Sequence, residues 1–139
     1  MSGCTRRQFH RFVAGTAAGL WACGTSSATV APTGGTVTLS FAQFPALGSP
    51  GGSVVVNVQG AFPLAVVRTG DLSAVALSAT CTHQFCLMSF DAGRNTLHCP
   101  CHDADFDLTT GAVLRGPPPV PVPVYTATVQ PDAIVVSLS

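Results

Sequence analysis

The chain has 139 residues, a formal net charge of zero and 47% apolar residues, which suits one domain with a real core. Only 9% of the residues are charged and lysine and glutamate are absent, so the basic surface that nucleic-acid binding requires is missing. The same composition excludes an acidic disordered tail and wholesale disorder. The informative feature is a cluster of four cysteines and three histidines within residues 81–102.

Residues 1–24 are predicted to be an export signal. Arg6 and Arg7 precede a mildly apolar stretch from Phe12 to Ala22, which is too short to cross the roughly 30 Å hydrocarbon core as a helix. The arginine pair resembles a twin-arginine signal, the route of proteins that are exported already folded. Removing this segment would leave three arginines against six aspartates, a net charge of −3.

The end of the signal leaves two alternatives open. The sequence Leu-Trp-Ala-Cys-Gly at 20–24 resembles a bacterial lipobox, in which Cys23 would be lipidated, although Trp21 is bulkier than the residues usual there. In the other alternative the signal is cleaved after a small residue, near Ala28 or Ala31, and Cys23 is removed. Both alternatives predict an exported protein, either periplasmic or anchored in the membrane through Cys23 and facing the periplasm.

After the signal the chain shows strand patterns throughout. Residues 25–35 are rich in Thr, Ser and Gly and are predicted to be a flexible linker. From residue 36 to 139, short β-branched or alternating runs are separated by Gly, Pro and Asp, which predicts about eight to ten short antiparallel strands and an all-β fold. The predicted strands are 36–41, 53–58, 64–68, 73–79, 86–90, 94–98, 104–108, 122–129 and 133–138.

Two short boxes carry the residues suited to metal chemistry. The first is Cys81-Thr82-His83-Gln84-Phe85-Cys86 and the second is Cys99-Pro100-Cys101-His102. Each box offers one cysteine and one histidine at short spacing, and two thiolates with two imidazoles can hold a metal centre. Each box also carries one additional cysteine, and in an exported protein these two cysteines could pair.

This pattern resembles the Rieske iron–sulfur family, in which Cys-x-His in one loop and Cys-x-x-His in another hold a 2Fe-2S cluster. The resemblance implies a Rieske-type antiparallel β sandwich over residues 36–139, with a small cluster-binding subdomain formed by two loops. The ligands it implies are Cys81 and Cys99 on one iron and His83 and His102 on the other.

Two further features resemble the respiratory and arsenite-oxidase-like branches of the family. In those branches the remaining cysteines, here Cys86 and Cys101, form a disulfide between the two loops. A proline-rich segment that covers the cluster has its counterpart in the stretch that begins at Gly116, Pro117 and Pro118. A stiff cover of this kind suits proline, which fixes the backbone in an extended path.

Several positions beside the predicted cluster depart from the family pattern. Ala104 and Phe106 stand where high-potential members have Ser and Tyr, whose hydroxyls donate hydrogen bonds to the cluster sulfurs. Asp103 and Asp105 are expected to add negative charge that opposes reduction. We therefore predict a potential in the lower part of the range of Rieske centres, about −150 to +300 mV. Phe85 stands where relatives usually have Gly, and either shields the cluster or shifts the loop.

The resemblance implies one-electron transfer, by a free carrier or by the small subunit of a periplasmic oxidoreductase or respiratory complex. The protein by itself is then not an enzyme, and its expected partner is a cytochrome or an oxidoreductase subunit. Asp103, Asp105 and Asp107 alternate along a predicted strand, where a solvated face is the simplest interpretation and a docking patch for a basic partner is the alternative. His98 is interpreted as a structural residue.

A structural zinc module or a plain disulfide scaffold could use the same residues. Zinc modules usually space their ligands as Cys-x2–4-Cys or His-x3–5-His, unlike the mixed pairs found here. A disulfide scaffold would leave His83 and His102 unexplained. The zinc or disulfide module is therefore the alternative to the electron-transfer interpretation.

Overall fold

The computed structural model describes residues 28–139, so the predicted export signal and Cys23 lie outside the described residues. This part of the chain has eleven strands and one short 3-10 helix at Pro45–Gly48. The strands are β1 Thr29–Val30, β2 Thr36–Ser40, β3 Ser53–Val58, β4 Pro63–Arg68, β5 Ala74–Ser78, β6 Ser89–Asp91, β7 Thr96–Cys99, β8 Ala104–Phe106, β9 Val113–Arg115, β10 Val124–Val129 and β11 Ala133–Ser137. Within residues 28–139 there is no helix of the length and apolarity needed to span a membrane.

A seven-stranded base sheet forms the larger part of the molecule. Its strand order is β1-β3-β4-β5-β10-β11-β2, with β1 parallel to β3 and the other pairs antiparallel. β1 and β2 stand at opposite ends of this order, yet only residues 31–35 separate them in the chain. Because five residues reach at most about 18 Å, the sheet must curl until its two ends approach each other. The base is therefore barrel-like, and its interior is a closed apolar core.

The residues that fill this core follow from strand alternation. In β2, Val37 and Leu39 are fully buried while Thr38 between them is exposed, as expected for a strand with one face inward. β4 is buried over Leu64–Val67 because it lies in the middle of the sheet and is covered on both faces. One face of β4 packs into the base core, and the other packs against a second, smaller layer.

That second layer is a four-stranded antiparallel sheet of order β6-β7-β8-β9. It is inserted in the chain between β5 and β10, which are paired neighbours in the base sheet. Leu97 and Phe106 are fully buried and pack, with Met88, against Leu77 and Ala65 of the base. The insertion is thereby fixed to the base through its own apolar core, and its loops project from the far end.

The predicted all-β fold is confirmed, but several boundaries differ. Of the predicted flexible linker, residues 28–35 are described, and Thr29–Val30 lie there as β1 paired with β3, so this part of the prediction is wrong. β9 was not predicted because three mostly exposed residues give little pattern. The predicted strand 86–90 is also wrong, since only Ser89–Asp91 form β6. The predicted strand 122–129 begins later, at Val124, because Pro123 has no N–H to donate to a neighbouring strand.

Candidate metal centre

The first box forms a tight loop, residues 81–86, which we call loop 1. The Phe85 N–H donates to the Cys81 carbonyl at 2.9 Å, and the Cys81 N–H donates to the Cys86 carbonyl at 2.9 Å. A bridge between Thr80 and Leu87 closes the base of the loop. These bonds satisfy the loop's own backbone and leave its middle residues to project outward.

The second box forms loop 2, residues 99–103, which joins β7 to β8. The strands pair Cys99 with Ala104, so Pro100–Asp103 make the turn of a hairpin. Asp103 has a φ of 53°, in the left-handed region that Asp adopts more readily than most residues. This turn carries the Cys99 side chain inward, where it is fully buried, and leaves His102 exposed.

A disulfide joins the two loops through Cys86 and Cys101, whose Cα atoms are 6.5 Å apart. The sulfurs of these two residues and of Cys99 all lie within 4.8 Å of one another. This trio could be mistaken for a metal site, but disulfide sulfurs are not thiolates and do not offer that ligand. The disulfide instead lies directly beside Cys99 and fixes the spacing between the loops.

The two histidines of the boxes come together between the loops. Nδ1 of His83 lies 3.2 Å from Nδ1 of His102. The ring centroids are 4.5 Å apart and the ring planes are nearly perpendicular, at 86°. Two ring nitrogens from separate loops that converge on one place are the arrangement by which two imidazoles bind a single metal ion.

The two free thiols, Cys81 and Cys99, belong to the buried apolar core of the insertion. Cys81 is 2% exposed and Cys99 is fully buried. Burial raises the pKa of the Cys99 thiol, while hydrogen bonds from the backbone N–H groups of Cys101 and His102 act in the opposite direction. Thiolate ligands must lose their protons, and a bound metal supplies the positive charge that makes this favourable.

The proline-rich segment, residues 116–123, contacts loop 1 and the start of β8, directly after loop 2. Gly116 has a φ of 98°, and a Cβ there would lie 2.8 Å from the Cα and Cβ atoms of Ala104, so only glycine fits. Further along, the Thr82 hydroxyl in loop 1 donates to the Val120 carbonyl at 2.8 Å. The segment then joins the base sheet, where the Ser78 N–H donates to the Pro123 carbonyl at 3.0 Å. It therefore runs past loop 2 and loop 1 in turn, with Pro118 buried and Pro117 exposed.

The aspartates near loop 2 do not form the solvated face that we expected. Asp105 is 5% exposed, and its carboxylate lies 2.8 Å from Nδ1 of His98 and accepts a hydrogen bond from the Thr96 hydroxyl at 3.1 Å. Arg94 lies 3.3 Å from the same carboxylate. Burial acts to raise the pKa of Asp105, but the contacts with His98, Thr96 and Arg94 outweigh it, and the pKa lies below its usual value.

The carboxylates of Asp103 and Asp107 also have ion-pair or hydrogen-bond partners. Asp103 pairs with Arg94 at 3.0 Å and with Arg115 at 2.6 Å, and the hydrogen bond from Arg94 is the main reason that the pKa of Asp103 is lowered. Asp107 accepts hydrogen bonds from the backbone N–H groups of Thr110 and Thr109 at 2.7 and 2.9 Å, and the first of these contributes most to its lowered pKa. The negative charges of Asp103 and Asp105 are therefore partly balanced by Arg94 and Arg115.

Arg94 and Arg115, the basic partners in these contacts, had no predicted role. The pairing of β8 with β9, which sets Arg115 opposite Asp105, could have placed Arg115 near loop 2, where its ion pair is with Asp103. Since β9 was not predicted, this pair was not visible. Arg94 lies in a turn, where no strand register could have indicated its partners.

The remaining predicted positions, Ala104, Phe106 and Phe85, lie in loop 1 or directly after loop 2. Ala104 and Phe106 are both buried on β8, directly after loop 2. Phe85 keeps a left-handed backbone, with a φ of 58°, and its side chain is 78% exposed. The ring therefore points to solvent, which does not fit the alternative that it shields the centre.

Comparison with known proteins gives one family and several relatives. A model of the Rieske 2Fe-2S domain family matches residues 42–126. The iron–sulfur subunit of the cytochrome b6-f complex from Prochlorococcus marinus (strain MIT 9515) is 40% identical over 73 residues, which are 52% of this chain and 40% of that subunit. The corresponding subunit from Chlorobaculum thiosulfatiphilum is 40% identical over 74 residues, 53% of this chain and 39% of the subunit. The match thus spans less than half of these relatives.

Solved structures cover more of the chain. A structure of the complex of reduced oxygenase and oxidised ferredoxin in carbazole 1,9a-dioxygenase superposes with a TM-score of 0.63 at 28% identity, covering 77% of this chain and 96% of that chain. The cyanobacterial plasma membrane Rieske protein from Synechocystis PCC 6803 superposes with a TM-score of 0.57 at 31% identity, covering 71% and 95%.

Proposed function

Because this chain belongs to the Rieske 2Fe-2S domain family, we propose that it transfers single electrons through one 2Fe-2S cluster held by loops 1 and 2. The proposed ligands are Cys81, His83, Cys99 and His102. The observation that carries this proposal is the 3.2 Å separation of the two histidine Nδ1 atoms, which belong to different loops and lie 19 residues apart in the sequence. When bound, such a cluster accepts and releases one electron at a time.

The donor set fits a centre of this kind because its two halves differ in environment. Cys81 and Cys99 are buried and lie toward the core of the insertion, whereas His83 is half-buried and His102 is exposed. The imidazoles thus lie between the predicted thiolate ligands and solvent. Electrons would enter and leave on the histidine side, where a partner can approach within contact distance of the rings.

We propose that the reduction potential lies in the lower part of the Rieske range. The side chains of Ala104 and Phe106 carry no hydroxyl to donate to the cluster sulfurs, and both are buried, which also keeps water away from this side. Asp103 and Asp105 are paired with arginines, so they contribute less to this effect than their charge alone suggests. The proposal therefore rests on the missing hydroxyls.

We also propose that the protein works outside the cytoplasm as an electron carrier or a non-catalytic redox subunit. The disulfide between Cys86 and Cys101 supports this location, because disulfides persist in oxidising compartments. The twin-arginine pattern and the lipobox-like Cys23 support export and attachment to a membrane. The proposed partner is a redox protein, either a cytochrome or an oxidoreductase subunit. Mass spectrometry of the mature N-terminus distinguishes lipidation of Cys23 from plain cleavage.

The deciding experiment is electron paramagnetic resonance of the protein after reduction with dithionite, together with iron and sulfide analysis. We expect two irons and two sulfides per chain and the signal of a reduced 2Fe-2S cluster. Zinc without iron or sulfide, in protein isolated fully loaded with metal, would establish the structural zinc module instead. A potential near the top of the Rieske range would contradict the proposed low potential alone.

A further inference from the structure

Phe85 holds a backbone conformation that its side chain disfavours. Its φ is 58°, in the left-handed region where a Cβ crowds the following carbonyl. The other non-glycine residues of the described chain with positive φ are Asn95 and Asp103, whose types adopt this region readily. Among residues 28–139, Phe85 is thus the one bulky side chain placed there, and a glycine would fit the same turn without strain.

Within residues 28–139, no side-chain hydrogen bond or burial of Phe85 compensates this strain. The Phe85 ring is 78% exposed, so it adds little to the core. The hydrogen bond that Phe85 makes, from its N–H to the Cys81 carbonyl, is available to a residue of any type. A strained backbone conformation that no local contact stabilises indicates a role in function.

Other exposed apolar side chains accompany Phe85. Leu87, directly after loop 1, is 55% exposed, and Val120, whose carbonyl accepts the bond from Thr82, is 51% exposed. We call Phe85, Leu87 and Val120 the apolar tip. Its members lie on loop 1, or on the segments joined to it, beside the half-buried ring of His83.

The tip is also free of charge. Loop 1, residues 100–102 of loop 2 and the segment 116–123 contain no Asp or Arg. Asp103, the last residue of loop 2, is half-exposed and is paired with Arg94 and Arg115. A surface that complements this tip must itself be apolar and uncharged, because a charged group buried against it would lose its hydration without gaining a partner.

We propose that Phe85 is a partner-binding residue that inserts into an uncharged apolar recess on the redox partner. This inference rests on the proposed electron-transfer function and deepens it by naming the chemistry of the partner's docking face. A rigid aromatic side chain at the centre of an interface often contributes a large share of the binding free energy. Phe85 would thus hold the partner against His83 and His102, and would exclude partners that lack the recess.

The test compares F85G with L72G in the full-length, cluster-containing protein. Leu72 is 89% exposed and lies before β5, whereas loop 1 lies after β5, so the five residues of the strand separate the two sites by about 17 Å. L72G therefore removes a similar exposed apolar side chain away from the tip. Each reduced protein is mixed with the soluble or the membrane fraction of the cells that produce it, or with ferricyanide, and reoxidation is followed optically.

We expect F85G to be reoxidised at least about tenfold more slowly than wild type by the active cell fraction. F85G should react with ferricyanide at the wild-type rate, and L72G should match wild type with both acceptors. Raising the salt concentration from about 20 to 300 mM should change the wild-type rate with the cell fraction less than about threefold, since the docking face is uncharged. F85G should unfold at a temperature no lower than wild type, because glycine relieves the strain.

Three results would overturn the inference. Equal reoxidation of F85G and wild type by the active fraction would show that the ring does not bind the partner. Slower reaction of F85G with ferricyanide, or a lower unfolding temperature, would show that Phe85 supports the cluster or the fold instead. A steep salt dependence would show a charged interface. If neither fraction reoxidises wild type although ferricyanide does, the proposed electron transfer to a partner protein fails as well.

Discussion

Loops 1 and 2 each offer one cysteine and one histidine, but they are held in place by different means. Loop 1 is uncharged and is fixed by backbone hydrogen bonds and by the Thr82 hydroxyl. Loop 2 is followed by a network of charges in which Asp103 and Asp105 bind Arg94, Arg115 and His98. The difference shows that ion pairs surround the end of loop 2, while loop 1 has none and leaves exposed apolar side chains.

Removing one predicted ligand should have the largest effect, because loops 1 and 2 are proposed to hold a single cluster together. We expect H102A to lose the 2Fe-2S cluster entirely, since the other iron ligands cannot replace an imidazole at that position. Iron and sulfide analysis with electron paramagnetic resonance measures this loss. The matched control is H98N, because His98 lies one residue before loop 2 and binds Asp105. A cluster in H102A, or its loss in H98N, would contradict the ligand assignment.

Breaking the link between the loops should have the next largest effect. The disulfide joins residues 15 apart in sequence, and the loss of such a link lowers the free energy of unfolding by about 3 kcal/mol. We expect C86S to assemble its cluster but to unfold more easily and to lose the cluster faster on heating. The double variant C86S/C101S serves as the control and should behave alike. If C86S failed to assemble any cluster, the disulfide cysteines would have a more direct role.

Disrupting the polar network tests how loop 2 is held. D105N removes a buried, hydrogen-bonded carboxylate, and we expect the free energy of unfolding to fall by about 2 kcal/mol at neutral pH. The pKa of Asp105 is lower when folded than the roughly 4 of an unfolded Asp, so its stabilising effect is present above that value. The effect is lost as the pH falls through the folded pKa, and the two proteins should converge in acid.

Chemical denaturation at several pH values measures this difference. D91N is the control, since Asp91 is half-exposed. Its carboxylate lies 3.8 Å from Nε of Arg94 and accepts a hydrogen bond from the Arg94 backbone N–H. A difference between D105N and wild type that did not shrink in acid would show that packing, not charge, is what Asp105 contributes.

The smallest effect is expected in loop 1. T82V keeps the shape of the side chain but removes its hydrogen bond to the Val120 carbonyl, which should lower the free energy of unfolding by about 1 kcal/mol. The cluster should remain, and it should become more accessible to solvent because the proline-rich segment is released from loop 1. Faster loss of iron to a chelator would report this release, with T80V as the comparison, since Thr80 lies just before the loop. An unchanged rate would show that the segment does not depend on this bond.

Much of the site could be predicted because its chemistry depends on residue types at short spacing. The two boxes form tight loops, and these loops bring His83 and His102 together and join Cys86 to Cys101. The network beside loop 2 could not be predicted in the same way, since it depends on register. Arg115 is held beside Asp103 because β9, a strand of three residues, pairs with β8. Alternation alone suggested an exposed row of aspartates, and tertiary pairing determined their burial.

The fold was predictable to the same degree. The long β-branched runs of β3 and β4 gave clear signals, because buried strands require such residues. β1 has two residues and is formed by its contact with β3 rather than by its own preference. The disulfide and the Thr80–Leu87 bridge keep Cys86 to Met88 out of β6, and neither constraint can be deduced from strand propensity.

The proline-rich segment also governs how molecules of this protein meet one another. Edge strands with free N–H and carbonyl groups can recruit strands from neighbouring molecules and so begin aggregation. β9 is such an edge, and the chain after it carries five prolines, none of which can donate a hydrogen bond. They are Pro117, Pro118, Pro119, Pro121 and Pro123. These prolines therefore oppose the extension of an intermolecular sheet from β9 into the segment beside loop 1.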